Sequence, residues 1–99
     1  MMEVSFASSS LRRCYETHAE AVREWGSTVA RKYIQRVNVL YAAKEFADLY
    51  SIKSLRLHKL KGDLEGQYAI TIHDRWRLLL SRLADDRVRI EEVTKHYGD

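Results

Sequence analysis

The chain has 99 residues, of which 45% are hydrophobic, and a formal net charge of +3. Because domains usually need on the order of 100 residues each, we expect a single domain that spans residues 1–99. No stretch reaches the roughly 20 apolar residues that a bilayer span requires, and the N-terminal segment lacks the charge-then-apolar order of a signal peptide. We therefore expect a cytoplasmic protein that does not associate with membranes.

Metal and disulfide chemistry have little support in the sequence. Cys14 is the only cysteine, so the chain cannot form an internal disulfide or a thiolate cluster. No His, Cys or carboxylate grouping has a familiar ligand spacing. We expect no metal and no cofactor, and we interpret Cys14 as a small buried apolar residue.

The first half of the chain predicts a short strand and two helices. Val4 and Phe6 alternate within residues 3–7, as in a half-buried strand. The serines at 8–10 can cap a helix, which we expect to end at Gly26 and to be followed by a second helix capped by Ser27. The two apolar stripes at helical spacing are Leu11, Cys14, Tyr15, His18, Val22, Trp25 and Val29, Tyr33, Val37, Leu40, Tyr41. Such a short connection predicts an antiparallel helix hairpin.

The second half changes from a period of about 3.6 to a period of 2, which predicts a sheet under the helices. Residues 68–72 and 76–80 alternate on either side of a turn at 73–75, and a further strand follows the turn at 85–86. Val93 breaks the parity of this last strand, so we expect a bulge or strand end near Glu92. The prediction is an α+β fold with a short N-terminal strand, an antiparallel helix hairpin and an antiparallel sheet of about four strands.

Positive charge is concentrated beside two glycines. Residues 49–62 contain no acid, and Gly62 and Gly66 bracket a short acidic turn that can hold neighbouring side chains in place. The basic residues that we expect to contact nucleic-acid phosphates are Lys53, Arg56, Lys59, Lys61 and Arg75. A positive face of this kind attracts phosphates with salt-dependent strength.

The residues Leu57-His58, Leu60-Lys61-Gly62-Asp63, Gly66 and Arg75-Trp76-Arg77 resemble the HigB branch of the RelE/ParE toxin superfamily. With the order of predicted elements, the resemblance covers essentially the whole chain. It implies the toxin of a type II toxin–antitoxin system, a ribosome-dependent endoribonuclease that cleaves mRNA. It also implies a cognate antitoxin, HigA-like with a helix-turn-helix, as well as contact with the ribosome and mRNA and with operator DNA only through the antitoxin.

The residues present suit cleavage of RNA without a metal, which needs proton transfer and a cation at the phosphate. The resemblance implies that His58 transfers a proton, that Arg77 holds the scissile phosphate, and that Lys61 assists electrostatically. It assigns the second proton-transfer or positioning role to His96 or Tyr97. Relatives commonly end the last strand with Asp-Tyr-His, whereas this chain has Thr94-Lys95-His96-Tyr97, so which of the two residues faces the site stays open.

Two other functions remain compatible with the sequence: a non-catalytic ParE-like toxin that binds DNA gyrase, and an inactive or purely RNA-binding relative. His58 and the His96-Tyr97 end favour cleavage, because a pure binder needs no proton-transfer groups. We expect His18 and His73 to be structural or surface residues. The cleavage hypothesis requires His58 and Arg77 on the same side of the sheet, close enough to share one phosphate.

Overall fold

The computed structural model describes residues 1–64 and 66–95, without the side chain of Leu64. The strands are β1 Glu3–Phe6, β2 His58–Lys59, β3 Gln67–His73, β4 Trp76–Ala84 and β5 Arg87–Thr94, and the helices are α1 Ser9–Glu16, α2 His18–Trp25 and α3 Ser27–Ala42. Short 3₁₀ turns span Phe46–Ser51, Lys53–Leu55 and Gly62–Leu64. The predicted fold class is confirmed.

The helical half begins where the serine run predicts. The Ser8 hydroxyl accepts a hydrogen bond from the Leu11 amide at 3.1 Å, which satisfies one of the free donors of the first turn. The single helix expected up to Gly26 is instead two helices, because Thr17 has extended backbone angles, φ −130° and ψ 107°. His18 therefore begins α2 as an exposed residue and does not join the apolar stripe.

Gly26 alone connects α2 to α3, with φ 84° and ψ 165°, a region open essentially to glycine only. It occupies the position before α3 that we had predicted for Ser27, which is the first residue of that helix. Since α2 and α3 pack against each other across this one-residue connection, they run antiparallel. The predicted hairpin is therefore formed by α2 and α3.

The sheet has the strand order β1-β5-β4-β3-β2. The N-terminal strand β1 pairs with β5 in parallel, and the four later strands are mutually antiparallel. Alternate residues of β3, β4 and β5 enter the main core beneath the helices, as their period of 2 predicts: Tyr68, Ile70, Ile72, Leu78, Leu80, Val88 and Ile90. Tyr33 and Cys14 are buried in the same core.

A bulge near the end of β5 explains the broken parity at Val93. Leu80 pairs with Ile90 and Leu79 with Glu92, which leaves Glu91 as the extra residue. Val93 then pairs with Leu78 and packs against the main core. The predicted irregularity near Glu92 is confirmed as a bulge, and the strand continues to Thr94.

The face of the sheet away from the helices, here termed the distal face, has a small apolar cluster of its own. Leu60, Ala69 and Leu79 pack together there and are almost completely buried. Leu60 is held beside β3 by its amide, which donates to the Gln67 carbonyl at 2.9 Å. Across residues 1–64 and 66–95, no helix combines the length and hydropathy that a bilayer span requires.

Candidate active site

The strand register places His58 and Arg77 on the distal face. His58 pairs with Ala69, which pairs in turn with Leu79, and Arg77 pairs with Thr71. Directly opposed residues share a face, as do residues two apart along a strand. His58 and Arg77 therefore lie two strand spacings apart across the sheet and two residues apart along it. Their Cα atoms are about 12 Å apart. Both side chains therefore leave the sheet on the same face.

The local backbone orients the His58 ring. The turn Lys53–Leu55 ends at Arg56, a left-handed residue with φ 51° and ψ 46°, and the Arg56 carbonyl lies 3.0 Å from His58 Nδ1. A carbonyl oxygen can only accept, so Nδ1 carries the hydrogen and donates. Nε2, which is buried, is then the ring nitrogen without a hydrogen and can accept one.

The β3–β4 turn anchors Arg77. Its Nη1 donates to the Asp74 carbonyl at 2.6 Å and to the Trp76 carbonyl at 3.0 Å. Asp74 has φ 49°, a left-handed conformation that aspartate tolerates better than most residues. The guanidinium is therefore held at the end of the distal face that lies next to the turn.

The predicted RNA-contacting residues do not all converge on this face. Lys53, Arg56, Lys61 and Arg75 are exposed, and Arg75 lies in the two-residue turn between β3 and β4. Lys59 pairs with Tyr68, whose side chain enters the main core, so Lys59 projects toward the helical side at the sheet edge. His96 and Tyr97 lie outside the described residues.

The end of β5 places two acidic side chains, Glu91 and Glu92, on the distal face, and our site prediction omitted both. Glu92 pairs with Leu79, while the Glu91 carboxylate accepts from the Ser81 hydroxyl and from Arg89 Nε, each at 2.6 Å. Burial raises the pKa of Glu91, but these two hydrogen bonds and the Arg89 charge outweigh it, and the pKa lies below its usual value. The broken parity at Val93 was the sequence signal for the position of Glu92 on this face.

Comparison with known proteins identifies the sequence relationship. Residues 4–96 match the family model of HigB-like toxins, described as the RelE-like toxin of the type II toxin–antitoxin system HigB. No curated protein sequence matches the chain.

Solved structures share the fold at low sequence identity. YafQ from E. coli strain BL21(DE3) has a TM-score of 0.62 at 11% identity, covering 97% of this chain and 94% of that one. A YoeB/ParE toxin from Agrobacterium tumefaciens has a TM-score of 0.58 at 18% identity, covering 97% and 100%. The YoeB-YefM complex from Staphylococcus aureus gives 0.54 at 22% identity, covering 98% and 99%.

Proposed function

Because the chain belongs to the HigB family of RelE-like toxins of type II toxin–antitoxin systems, we propose that it is a ribosome-dependent endoribonuclease that cleaves mRNA without a metal or other cofactor. The observation that carries this proposal is the common face of His58 and Arg77 in the strand register. A gyrase-binding protein would not need a proton-transfer group and a phosphate-binding group on one surface.

In the proposed reaction, the ribose 2′-oxygen attacks the adjacent phosphorus and loses its proton to a base. The bond from phosphorus to the 5′-oxygen breaks, and that oxygen takes up a proton, so the products are a 2′,3′-cyclic phosphate and a 5′-hydroxyl. With Nδ1 bonded to the Arg56 carbonyl, His58 uses Nε2 to bind or release one of these protons. Arg77 and, more weakly, Lys61 stabilise the charge that develops on the phosphoryl oxygens. His96 or Tyr97 supplies the second proton-transfer group.

The proposal includes a cytoplasmic location and a cognate antitoxin of the HigA type, which binds operator DNA through a helix-turn-helix. Support for a protein partner comes from a structural neighbour, the YoeB-YefM toxin–antitoxin of Staphylococcus aureus, which forms a heterotetrameric complex. The ribosome and translated mRNA are the proposed targets, and the exposed cations Lys53, Arg56, Lys61 and Arg75 are the proposed contacts with RNA phosphates.

Induction of the chain in bacteria, followed by mapping of mRNA 5′ ends, tests the function. We expect new ends within translated messages, reduced at least about 100-fold in His58→Ala and in Arg77→Ala because general acid–base and phosphate-stabilising groups each contribute that much or more. His18→Ala is the matched control, since His18 is an exposed histidine on α2.

Two outcomes would overturn the proposal. Cleavage that persists in both variants would remove His58 and Arg77 from the mechanism. Growth arrest with altered DNA supercoiling and no new mRNA ends would identify a gyrase-directed toxin instead. Retention of the wild-type circular dichroism spectrum by each variant ensures that lost activity is not lost folding.

A further inference from the structure

His73 lies between two charged side chains at the end of the β3–β4 hairpin. Its Nδ1 is 3.3 Å from the Lys32 ammonium of α3, and its Nε2 is 3.3 Å from Asp74 Oδ2. The ring reaches α3 because the register shifts between Thr71 and His73, so that His73 pairs with Trp76 and faces the helical side. A single imidazole therefore connects a helix to the turn that holds Arg77.

The two neighbours fix the tautomer of this ring. An ammonium group can only donate, so Nδ1 accepts from Lys32 and has no hydrogen. In the neutral ring the hydrogen is then on Nε2, the atom that lies 3.3 Å from the Asp74 carboxylate. Only the neutral imidazole with its hydrogen on Nε2 makes both contacts, since a hydrogen on Nδ1 would point at the Lys32 ammonium.

The same turn carries the Arg77 guanidinium. The Asp74 side chain contacts His73, while its main-chain carbonyl accepts from Arg77 Nη1 at 2.6 Å. Asp74 has φ 49°, a conformation that local hydrogen bonds help to maintain in a residue other than glycine. Loss of the His73 contact therefore loosens the carbonyl to which Arg77 is bonded.

A second contact from α3 reaches the same strand, β3. Arg36, one helical turn after Lys32, donates from Nε to the Thr71 carbonyl at 2.8 Å, and Thr71 is the residue that pairs with Arg77. Burial lowers the pKa of Arg36, which reflects how far its guanidinium enters the junction. Lys32 and Arg36 thus both contact β3, the strand that pairs with the Arg77 end of β4.

We propose that His73 is a positioning residue for Arg77, which it holds in place through Asp74 by means of its neutral Nε2–H tautomer and its contact with Lys32. Its effect on RNA cleavage rests on the proposed function, whereas its effect on the Arg77 side chain does not. Sequence reasoning assigned His73 a structural or surface role, and the three contacts at the turn extend that role to the candidate site.

Nitrogen-15 NMR of the full chain tests the arrangement without RNA. In the wild type we expect the neutral His73 ring to have its hydrogen on Nε2 and none on Nδ1, and the opposite tautomer would overturn the proposal. In His73→Leu and in Lys32→Met, hydrogen exchange of the Arg77 guanidinium should become about three- to tenfold faster, the effect of losing one net hydrogen bond. His73→Gln, which keeps an N–H donor, should restore most of the protection.

Two control variants have the same chemical change at exposed positions: His18→Leu on α2 and Lys44→Met after α3. Unchanged Arg77 exchange in folded His73→Leu and Lys32→Met, or equal acceleration in the controls, would contradict the proposal. Lys32→Met and His73→Gln keep the test decisive if the leucine variant does not fold.

Cleavage kinetics supply the functional readout. Misplacement of a charge-stabilising group affects the transition state more than ground-state binding, so His73→Leu should lower kcat by roughly 10- to 100-fold with little change in KM. His73→Gln should recover most of the loss. If Arg77 exchange accelerates but kcat does not fall, His73 does not position Arg77 for catalysis. If the wild type cleaves no RNA, the proposed function fails while the NMR result still decides the positioning.

Discussion

At the scale of single residues, Tyr33 makes a buried hydrogen bond within the helical half. It is fully buried, its ring meets the Trp25 ring edge-on with centroids 4.7 Å apart, and its hydroxyl donates to the Leu11 carbonyl at 2.8 Å. Tyr33→Phe would leave that carbonyl without this donor in the core. We expect a loss of about 1–2 kcal/mol in the free energy of unfolding at pH 7, measured by urea denaturation.

The same tyrosine predicts a pH dependence. Burial, together with the nearby Cys14, Tyr15 and Tyr41, raises the pKa of Tyr33 well above its usual value, so the folded state keeps a proton that the unfolded chain releases above about pH 10. The stabilisation by neutral Tyr33 is therefore present below pH 10 and is lost as the pH rises further. Tyr33→Phe should make the fall in stability between about pH 9.5 and 11 shallower. Tyr50→Phe, at an exposed ring, is the control, and an unchanged slope in Tyr33→Phe would contradict this assignment.

Glu91 predicts the opposite dependence at acid pH. The hydrogen bonds from Ser81 and Arg89 outweigh burial and depress its pKa in the folded state. The stabilisation is therefore complete above the unfolded value of about 4.3 and is lost as the pH falls through the lower folded value. Glu91→Gln should reduce stability at pH 7 and flatten the decline below about pH 4.5. Glu92→Gln, at the exposed neighbour on the same strand, is the control, and equal flattening of the decline in both variants would show that Glu91 is not its source.

At the scale of elements, the connection between α2 and α3 depends on one glycine. A Cβ added to Gly26 would meet nothing within 4 Å, so any destabilisation comes from its backbone angles alone. We expect Gly26→Ala to lower the free energy of unfolding by about 1–3 kcal/mol. Gly26→Asn should not recover the loss, because the ψ of 165° lies far from the left-handed region that asparagine favours. Ser27→Ala, at an exposed neighbour, is the control, and wild-type stability in Gly26→Ala would contradict the strain argument.

Local patterns predicted the elements that depend on local interactions and missed those that depend on distant partners. The serine cap, the reversal at Gly26 and the alternating strands each arise from neighbouring residues, and each is present. The break at Thr17 was not predictable from spacing, because the apolar stripe continues through it without a glycine or proline. The parallel pairing of β1 with β5 joins residues more than 80 positions apart, and alternation within a strand does not specify its partner.

At the scale of the whole molecule, the candidate site depends on the register of β2, β3 and β4. The sequence pattern predicted only part of that register. Alternation with Trp76 and Leu78 predicted that Arg77 lies on the distal face. The face of His58 instead follows from its pairing with Ala69, because β2 has two residues and is too short to show alternation. The same pairing turns Lys59 toward the helical side, although it is adjacent to His58 in the sequence. The contact between Lys32 and His73 joins residues 41 positions apart and has no local signal.

Charge is distributed unevenly along the strand direction. The end with the β3–β4 turn carries one acid, Asp74, and the cations Lys32, Arg36, Arg56, Arg75 and Lys95. Acids collect at the end with the β4–β5 turn: Glu3, Glu45, Asp48, Asp85 and Asp86. Two of these acids, Asp85 and Glu3, are paired with Arg82 and Arg87. The nine residues of β4 separate these ends by about 30 Å, several times the Debye length of about 8 Å at physiological salt. A phosphate chain on the distal face near Arg77 therefore senses the basic end and is screened from the acidic one.

This separation permits a charge-matched test of RNA binding. Arg75→Glu and Lys44→Glu change the net charge equally at two exposed positions, one in the β3–β4 turn and one beside the acidic end, where the Phe46 amide bonds to the Asp85 carbonyl. For a single-stranded RNA with a 2′-deoxy block at the cleavage site, Arg75→Glu should weaken binding and reduce the slope of log K against log salt by roughly 0.7–1, the effect of one lost phosphate contact. Lys44→Glu should leave both quantities within about twofold of wild type. Equal weakening by the two variants would mean that RNA responds only to total charge, and Arg75 would then have no place on the path of the phosphate backbone.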